Sequence, residues 1–180
     1  PADLVVKMRA SFLFLVPLLH RFGEVYFPHP GGDAIGQRPI DMTLDFLTSM
    51  GVEVVAEPQA YIMRAKRLKG VHYTFKWVSH TGTEAMVMAA VLAEGHTMIK
   101  NAAMKPEVVA LCEYLNSVGA KISGHGTPTI SIKGVEKLSG GACAIIPDRI
   151  DAGTFAVLGA LCGKELTVTG IEPEHLDALW

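Results

Sequence analysis

Cysteine is scarce and scattered. The three that occur in 180 residues, Cys112, Cys143 and Cys162, form no CxxC pair. A disulfide framework is therefore not expected, and reduced thiols serving as packing residues fit a cytoplasmic chain. None of the seven histidines falls in HxxxH or HExxH spacing, so the linear pattern announces no metal site. Charge of either sign is not in excess. A net charge of −2 leaves no nucleic-acid footprint and no polybasic membrane patch. Long apolar runs are missing too. The longest, ASFLFLVPLL from Ala10 to Leu19, is too short to cross a bilayer, so no membrane insertion is expected. It lies near the start, yet no small-residue cleavage pattern follows, and Arg21 and Glu24 come at once. A buried helix is expected there rather than a signal peptide.

What is present is a folding composition, 49% hydrophobic and 19% charged, and a repeat. Pro39, Pro106 and Pro173 recur at intervals of 67 residues. Each opens a segment of helical character, and proline at a first helical position loses no needed hydrogen bond. Gly51 and Gly119 supply matching helix stops. Ahead of each proline, a helical segment ends near Gly23, Gly95 or Gly163, followed by EVYF, HTMIK or ELTVTG, all strand-like. Two further strand-like runs follow in the first two copies, VEVVAE with YIMRAKRL, and AKISGH with TISIKGVEKL. MRASFLFLVPLL and EAMVMAAVLA are apolar almost all round, as buried helices are. Pro17 is expected to loosen the first of them near its end. The reading is an α/β (α+β) fold, an inside-out α/β barrel lobe of repeated βαβαββ units with buried helices. Periodicity alone does not separate it from an ordinary two-layer fold.

The candidate chemistry sits in PHPGGDAIGQRPID, residues 28–41. Its glycines let backbone approach a ligand closely. Arg38 stands before a helix whose N-terminus attracts anions. An ordinary loop-to-helix turn explains the same residues, and Asp41 could cap the helix by itself. A second helix start lies in WVSHTGTEAMVMAA, where Thr81 and Glu84 have capping-box spacing. Ser79, His80 and Thr81 would present hydroxyl and N–H groups there. Arg9, at the head of an apolar helix, either reaches water or pairs with an anion. His29 receives no role. Asp148 and Asp151 read as helix-start acids beside Arg149.

RASFLFLVPLLHRFGEVYFPHPGGDAIGQRPID, TGTEAMVMAAVLAEGHTMIKNAAMKPEVV and IIPDRIDAGTF resemble the UDP-N-acetylglucosamine 1-carboxyvinyltransferases, enolpyruvyl transferases of peptidoglycan synthesis. The likeness runs from about Met8 to the end. It implies two lobes of repeated units with buried helices. It also implies transfer of an enolpyruvyl group from phosphoenolpyruvate to the 3′-hydroxyl of UDP-N-acetylglucosamine, with loss of phosphate and no cofactor or metal. By position, Asp33 takes the place of a general acid that is cysteine in most members, and fosfomycin, which alkylates that cysteine, should not inactivate the protein. Arg38, Pro39, Ile40, Asp41 and Met42 match a uridine- and phosphate-binding segment. Arg9 matches a sugar-nucleotide arginine, and Ser79, His80 and Thr81 a second nucleotide-contacting loop. His80 and Thr81 replace a commoner Val-Gly, and Trp77 and Thr43 also depart from the family pattern. The family's Lys-Asn pair would precede Pro1, and its base on the sugar hydroxyl would follow Trp180. The expected division is residues 1–146 as most of one lobe and 147–180 as a crossover into another. The remaining lobe of the same enzyme is the implied partner, and this chain alone should be inactive. The competing reading is a non-catalytic nucleotide-binding or scaffold protein that keeps the fold, in which Asp33 is only a turn residue.

Overall fold

The computed structural model describes residues 2–32, 40–163 and 165–180. The chain divides into two units, residues 1–141 and 142–180.

The first unit opens with a short helix α1 (Ala2–Val5), a 3-10 helix (Arg9–Phe14) and α2 (Leu15–Phe22). The expected single helix is thus split. The 3-10 turn hands over to α-helix at Leu15, which leaves Pro17 in the first turn of α2 rather than in a strained interior. First-turn N–H groups have no intrahelical acceptor, so proline costs little there. The segment is also one-sided. Phe12, Leu15, Val16 and Leu19 are buried, while Phe14 and Phe22 face outward. Gly23 adopts φ 73° and ends α2, its N–H donating to the Leu19 carbonyl.

Then follow β1 (Glu24–Pro28), α3 (Asp41–Ser49), β2 (Glu53–Ala56) and β3 (Ala60–Arg64). The strands form an antiparallel sheet in the order β1-β3-β2, with Glu24 opposite Arg64 and Pro28 opposite Ala60. The next stretch holds β4 (His72–Thr74), α4 (His80–Ala90), β5 (His96–Lys100), α5 (Pro106–Ser117), β6 (Ile122–Ser123) and β7 (Thr129–Lys133). Its sheet runs β4-β5-β7-β6, with β4 parallel to β5 and the other pairs antiparallel. His96 lies opposite Lys133 and Lys100 opposite Thr129. The arrangement β5-β7-β6 repeats β1-β3-β2, so the first two copies of the sequence repeat share one strand order.

Helix α4 occupies the centre of this unit. Gly82, Thr83, Ala85, Met86, Val87, Ala89 and Ala90 are all buried. The 3-10 helix, α2, α3, α5, β5 and β7 pack against it. Its small side chains allow that approach, and a helix apolar all round must lie inside. Met86, Phe46 and Phe75 are essentially fully buried, each contributing about 1.5–3 kcal/mol of transfer free energy. The strands of the second sheet alternate, with Thr97, Ile99, Ile130 and Ile132 buried and their neighbours turned outward. Helices thus sit inside and sheets outside.

In the second unit, α6 (Arg149–Cys162) starts on Asp148, whose carboxylate accepts from the N–H groups of Ile150 at 2.8 Å and Asp151 at 3.1 Å. Asp148 is therefore the cap, with Asp151 in the first turn. A 3-10 turn (Pro173–Leu176) follows. The expected strand ELTVTG joins no ladder among the described residues. A strand needs a partner's N–H and C=O groups, and no other described segment of this unit is a strand. Among the described residues no helix is long and apolar enough to cross a membrane.

Candidate functional site

Three of the residues singled out from sequence, Asp33, Arg38 and Pro39, lie outside the described residues. The remaining ones fall at the start of α4, with Ser79, His80 and Thr81, and on two elements that pack against it, the 3-10 helix with Arg9 and the start of α3 with Ile40, Asp41 and Met42.

At α3, Ile40 occupies the N-cap position and makes no side-chain cap bond. Asp41 is the first helical residue, exposed to solvent. The expectation that Asp41 caps the helix is therefore corrected. One position too late to cap, it acts on the helix dipole only. Ile40 is buried and anchors the helix start, Met42 is half-buried, and Thr43 is buried. Arg9 is half-buried at the head of the 3-10 helix.

At α4 the cap is also shifted from expectation. Ser79, extended at φ −124°, accepts the Gly82 N–H on its Oγ at 3.1 Å. Thr81 lies inside the first turn and is exposed. Glu84, instead of closing a capping box, sits with its Oε1 3.1 Å from His80 Nε2. That contact raises the His80 pKa above the ordinary histidine value. Burial opposes the rise, the charges of Glu84 and Glu107 add to it, and Lys105 subtracts from it. The positive end of α4 therefore carries an imidazole biased toward its charged form. Gly82 is sterically required. A Cβ there would come within 2.8 Å of Ser79 Oγ and 3.2 Å of the Phe75 ring. Trp77 and Val78, just ahead of the cap, are exposed.

Sequence reasoning missed the side chains that join these two helix starts. Tyr73 on β4 donates its hydroxyl to Asp45 Oδ2 at 2.8 Å, and the Met42 carbonyl lies at 3.3 Å. Burial, seconded by the Asp45 carboxylate, drives the Tyr73 pKa well above the usual phenol range. The Phe46 ring of α3 packs edge-on to Tyr73 at 5.9 Å and to Phe75 at 6.2 Å, and Tyr73 and Phe75 meet at 5.2 Å. Phe75 in turn lies under Gly82. The trio, with the Tyr73 hydroxyl at Met42 and Asp45, thus ties α3 and the first turn of α4 to the short stretch from Tyr73 to Phe75. The available signal was the alternation of Tyr73 and Phe75, two aromatic residues on one face of an extended run. Thr83, fully buried, completes the region. Its Oγ1 donates to the Ser79 carbonyl at 2.7 Å and accepts the Ala103 N–H at 3.0 Å.

Buried helices surrounded by repeated outer sheets define the class as the inside-out α/β fold of the enolpyruvyl transferases. The chain superposes on the enolpyruvyl transferase NikO from Streptomyces tendae with a TM-score of 0.78, over 92% of this chain and 39% of that one, at 23% identity. On an EPSP synthase from Acinetobacter baumannii the TM-score is 0.64, over 82% and 34%, at 24% identity. The family model for EPSP synthase (3-phosphoshikimate 1-carboxyvinyltransferase) matches residues 1–180, and the chain belongs to this family. Among its relatives, the UDP-N-acetylglucosamine 1-carboxyvinyltransferase of Bdellovibrio bacteriovorus is 48% identical over 177 residues, 98% of this chain. That of Nitratidesulfovibrio vulgaris (strain DP4) is 51% identical over 179 residues, 99% of this chain. The chain spans 43% of the length of each of these curated relatives.

Proposed function

We propose that this chain is part of an enzyme that transfers the enolpyruvyl group of phosphoenolpyruvate to the 3′-hydroxyl of UDP-N-acetylglucosamine, a step of peptidoglycan synthesis in the cytoplasm. The observation that carries the reading is the identity of 48–51% with proteins of that name over nearly the whole chain. In this reading residues 1–146 form most of one lobe, and 147–180 cross into a second lobe supplied by the rest of the polypeptide.

The chemistry needs an acid and an anion clamp. Asp33, protonated, gives its proton to the methylene carbon of phosphoenolpyruvate while the sugar oxygen bonds to C2 and loses its own proton. The tetrahedral adduct then expels phosphate, and a proton leaves the methyl carbon to restore the double bond. A carboxyl group serves as acid near neutral pH only if burial or a neighbouring anion raises its pKa. Arg9, Arg38 and the N-terminal ends of α3 and α4, with Pro39, Ile40, Asp41, Met42, Ser79, His80 and Thr81, take the sugar nucleotide. The shared seat of α3 and α4 on Tyr73 and Phe75 supports that grouping, because the two helix starts are tied to one short stretch of chain.

The test is phosphate release from phosphoenolpyruvate and UDP-N-acetylglucosamine by the full polypeptide. Asp33→Asn should lose turnover, and Asp33→Cys should keep it. Fosfomycin should inactivate only the Asp33→Cys form, with time dependence. Wild-type turnover in Asp33→Asn would refute the acid role. Absence of turnover in the unmodified polypeptide, with nucleotide binding retained, would favour the scaffold reading.

A further inference from the structure

We propose that the outer face of the second sheet carries a Cu(I) site made by His72, His96 and Met98. His72 on β4 and His96 on β5 are exposed, and their rings lie 6.1 Å apart between centroids, at 81°. Two imidazoles bound to one ion at about 2.0–2.1 Å place their ring centres at most about 6.4 Å apart. The observed separation fits under that limit. Met98 supplies the third donor. It is the register partner of His72 across the parallel β4–β5 pair. It also stands two residues from His96, so both project from the same face. A thioether selects Cu(I) over harder ions.

The surroundings favour the same ion. Ser131 on β7 places its Oγ 2.8 Å from His96 Nε2. That contact orients the ring in the way outer partners orient metal-binding histidines, and leaves Nδ1 to bind. The site is also held stiffly. A Cβ on Gly70 would meet the backbone of His96 at 2.4–2.6 Å, so the chain entering β4 lies directly on the start of β5. Strands β4, β5, β6 and β7 contain no aspartate or glutamate. Lys133 stands opposite His96, with Lys100 four residues further along β5. Hard divalent ions need carboxylate oxygens, and the lysines weigh against added positive charge. A monovalent soft ion on neutral donors meets both conditions. Among the described residues no group of three His, Cys, Asp or Glu is arranged for a metal; this set reaches three donors only through its thioether. Linear spacing could not reveal it, since the two histidines meet only across strands.

The experiment titrates Cu(I), held reduced by ascorbate, against a chromogenic chelator. The chain carries Cys143→Ser and Cys162→Ser, because both thiols are exposed and would compete for the ion. One Cu(I) per chain is expected. His72→Ala or His96→Ala should weaken it by more than about tenfold, and Ser131→Ala by about tenfold. Met98→Leu should weaken Cu(I) several-fold and leave Zn(II) binding unchanged. In the unmutated sheet, Cu(I) should move the imidazole NMR signals of His72 and His96 and leave those of the other histidines in place. Affinity unchanged by both histidine substitutions, or shifts confined to other histidines, would overturn the proposal. His72→Gln replaces the alanine variant if that one does not fold.

Discussion

Thr83 offers the sharpest test of how the first turn of α4 is held. The perturbation is Thr83→Val, which keeps shape and removes the hydroxyl. Thr83 is fully buried. Its Oγ1 is the acceptor for the Ala103 N–H at 3.0 Å, and it donates to the Ser79 carbonyl at 2.7 Å. The Ser79 carbonyl also accepts the Thr83 N–H at 3.0 Å, so it keeps a partner in the variant. The Ala103 N–H loses its acceptor. Ala103 is itself buried, and valine offers nothing in exchange. A buried donor stripped of its partner costs about 1–3 kcal/mol, and the lost hydroxyl bond adds about 1 kcal/mol. The expected destabilisation is therefore about 2–4 kcal/mol. Thr83→Ser keeps the oxygen and removes one methyl, for about 1 kcal/mol. Urea denaturation followed by far-UV circular dichroism measures both, and the midpoint should fall without a change of slope. If valine costs under about 0.5 kcal/mol, or serine costs as much as valine, the hydroxyl bridge between α4 and the approach to α5 is not what holds this region.

Other expectations follow from the same neighbourhood. Gly82→Ala should gain about 1 kcal/mol of helix propensity and lose more, since a Cβ 2.8 Å from Ser79 Oγ displaces the cap and presses Phe75. A net loss of about 1–3 kcal/mol is expected by denaturation, and a stabilised variant would contradict it. Tyr73→Phe removes the bond to Asp45 at 2.8 Å and should cost about 1 kcal/mol; Asp45→Ala in that background should then cost nothing more. His20 and His80 should give opposite pH slopes. Burial lowers the His20 pKa, against the hydrogen bond of its Nε2 with the Ala89 carbonyl. Its neutral form is therefore the folded one, and its stabilising share is lost as pH falls below the unfolded value of about 6.5. His80, raised by Glu84, contributes most below that value and loses its share as pH rises through the higher folded pKa. Stability measured from pH 5 to 8 for His20→Gln and His80→Gln should show each slope removed separately; slopes of like sign would refute one assignment.

The repeat, the buried helix α4 and the stops at Gly51 and Gly119 (φ 93° and 108°) were legible because each depends on a few neighbouring residues. Proline and glycine act locally, and an apolar helix advertises its burial in composition. The cap positions were not legible to the residue. Ser79 and Thr81 both satisfy capping chemistry, and the choice fell to Ser79 because the Phe75 ring and Gly82 pack on that turn. Pro17 was misplaced for a related reason. Sequence does not show where a 3-10 turn gives way to an α-helix, and that boundary decides whether a proline is awkward or harmless. ELTVTG has strand composition, but composition supplies no partner strand.

Cross-strand geometry is the deeper limit, and it separates the two halves of the candidate chemistry. Ile40, Asp41 and Met42, like Ser79, His80 and Thr81, are contiguous, so a resemblance could carry them over as motifs. The groups that seat those motifs are Tyr73 on β4, Phe46 on α3 and Phe75 just past β4, which meet one another, and Thr83 on α4, which ties Ser79 to Ala103. Tyr73 reaches α3 because β4 lies beside it, and Phe75 reaches α4 because the Phe75 N–H is bonded to the Lys100 carbonyl at 3.1 Å. Substituting an exposed motif residue such as Asp41 or Thr81 should therefore leave the fold, whereas Ile40 and Ser79 also hold their helix starts. Substituting one of the seating residues should move both helix starts together. That coupling is measurable as a non-additive Tyr73→Phe, Phe75→Leu double variant, since residues in contact share their energies. Strict additivity would mean that the two helix starts are held independently.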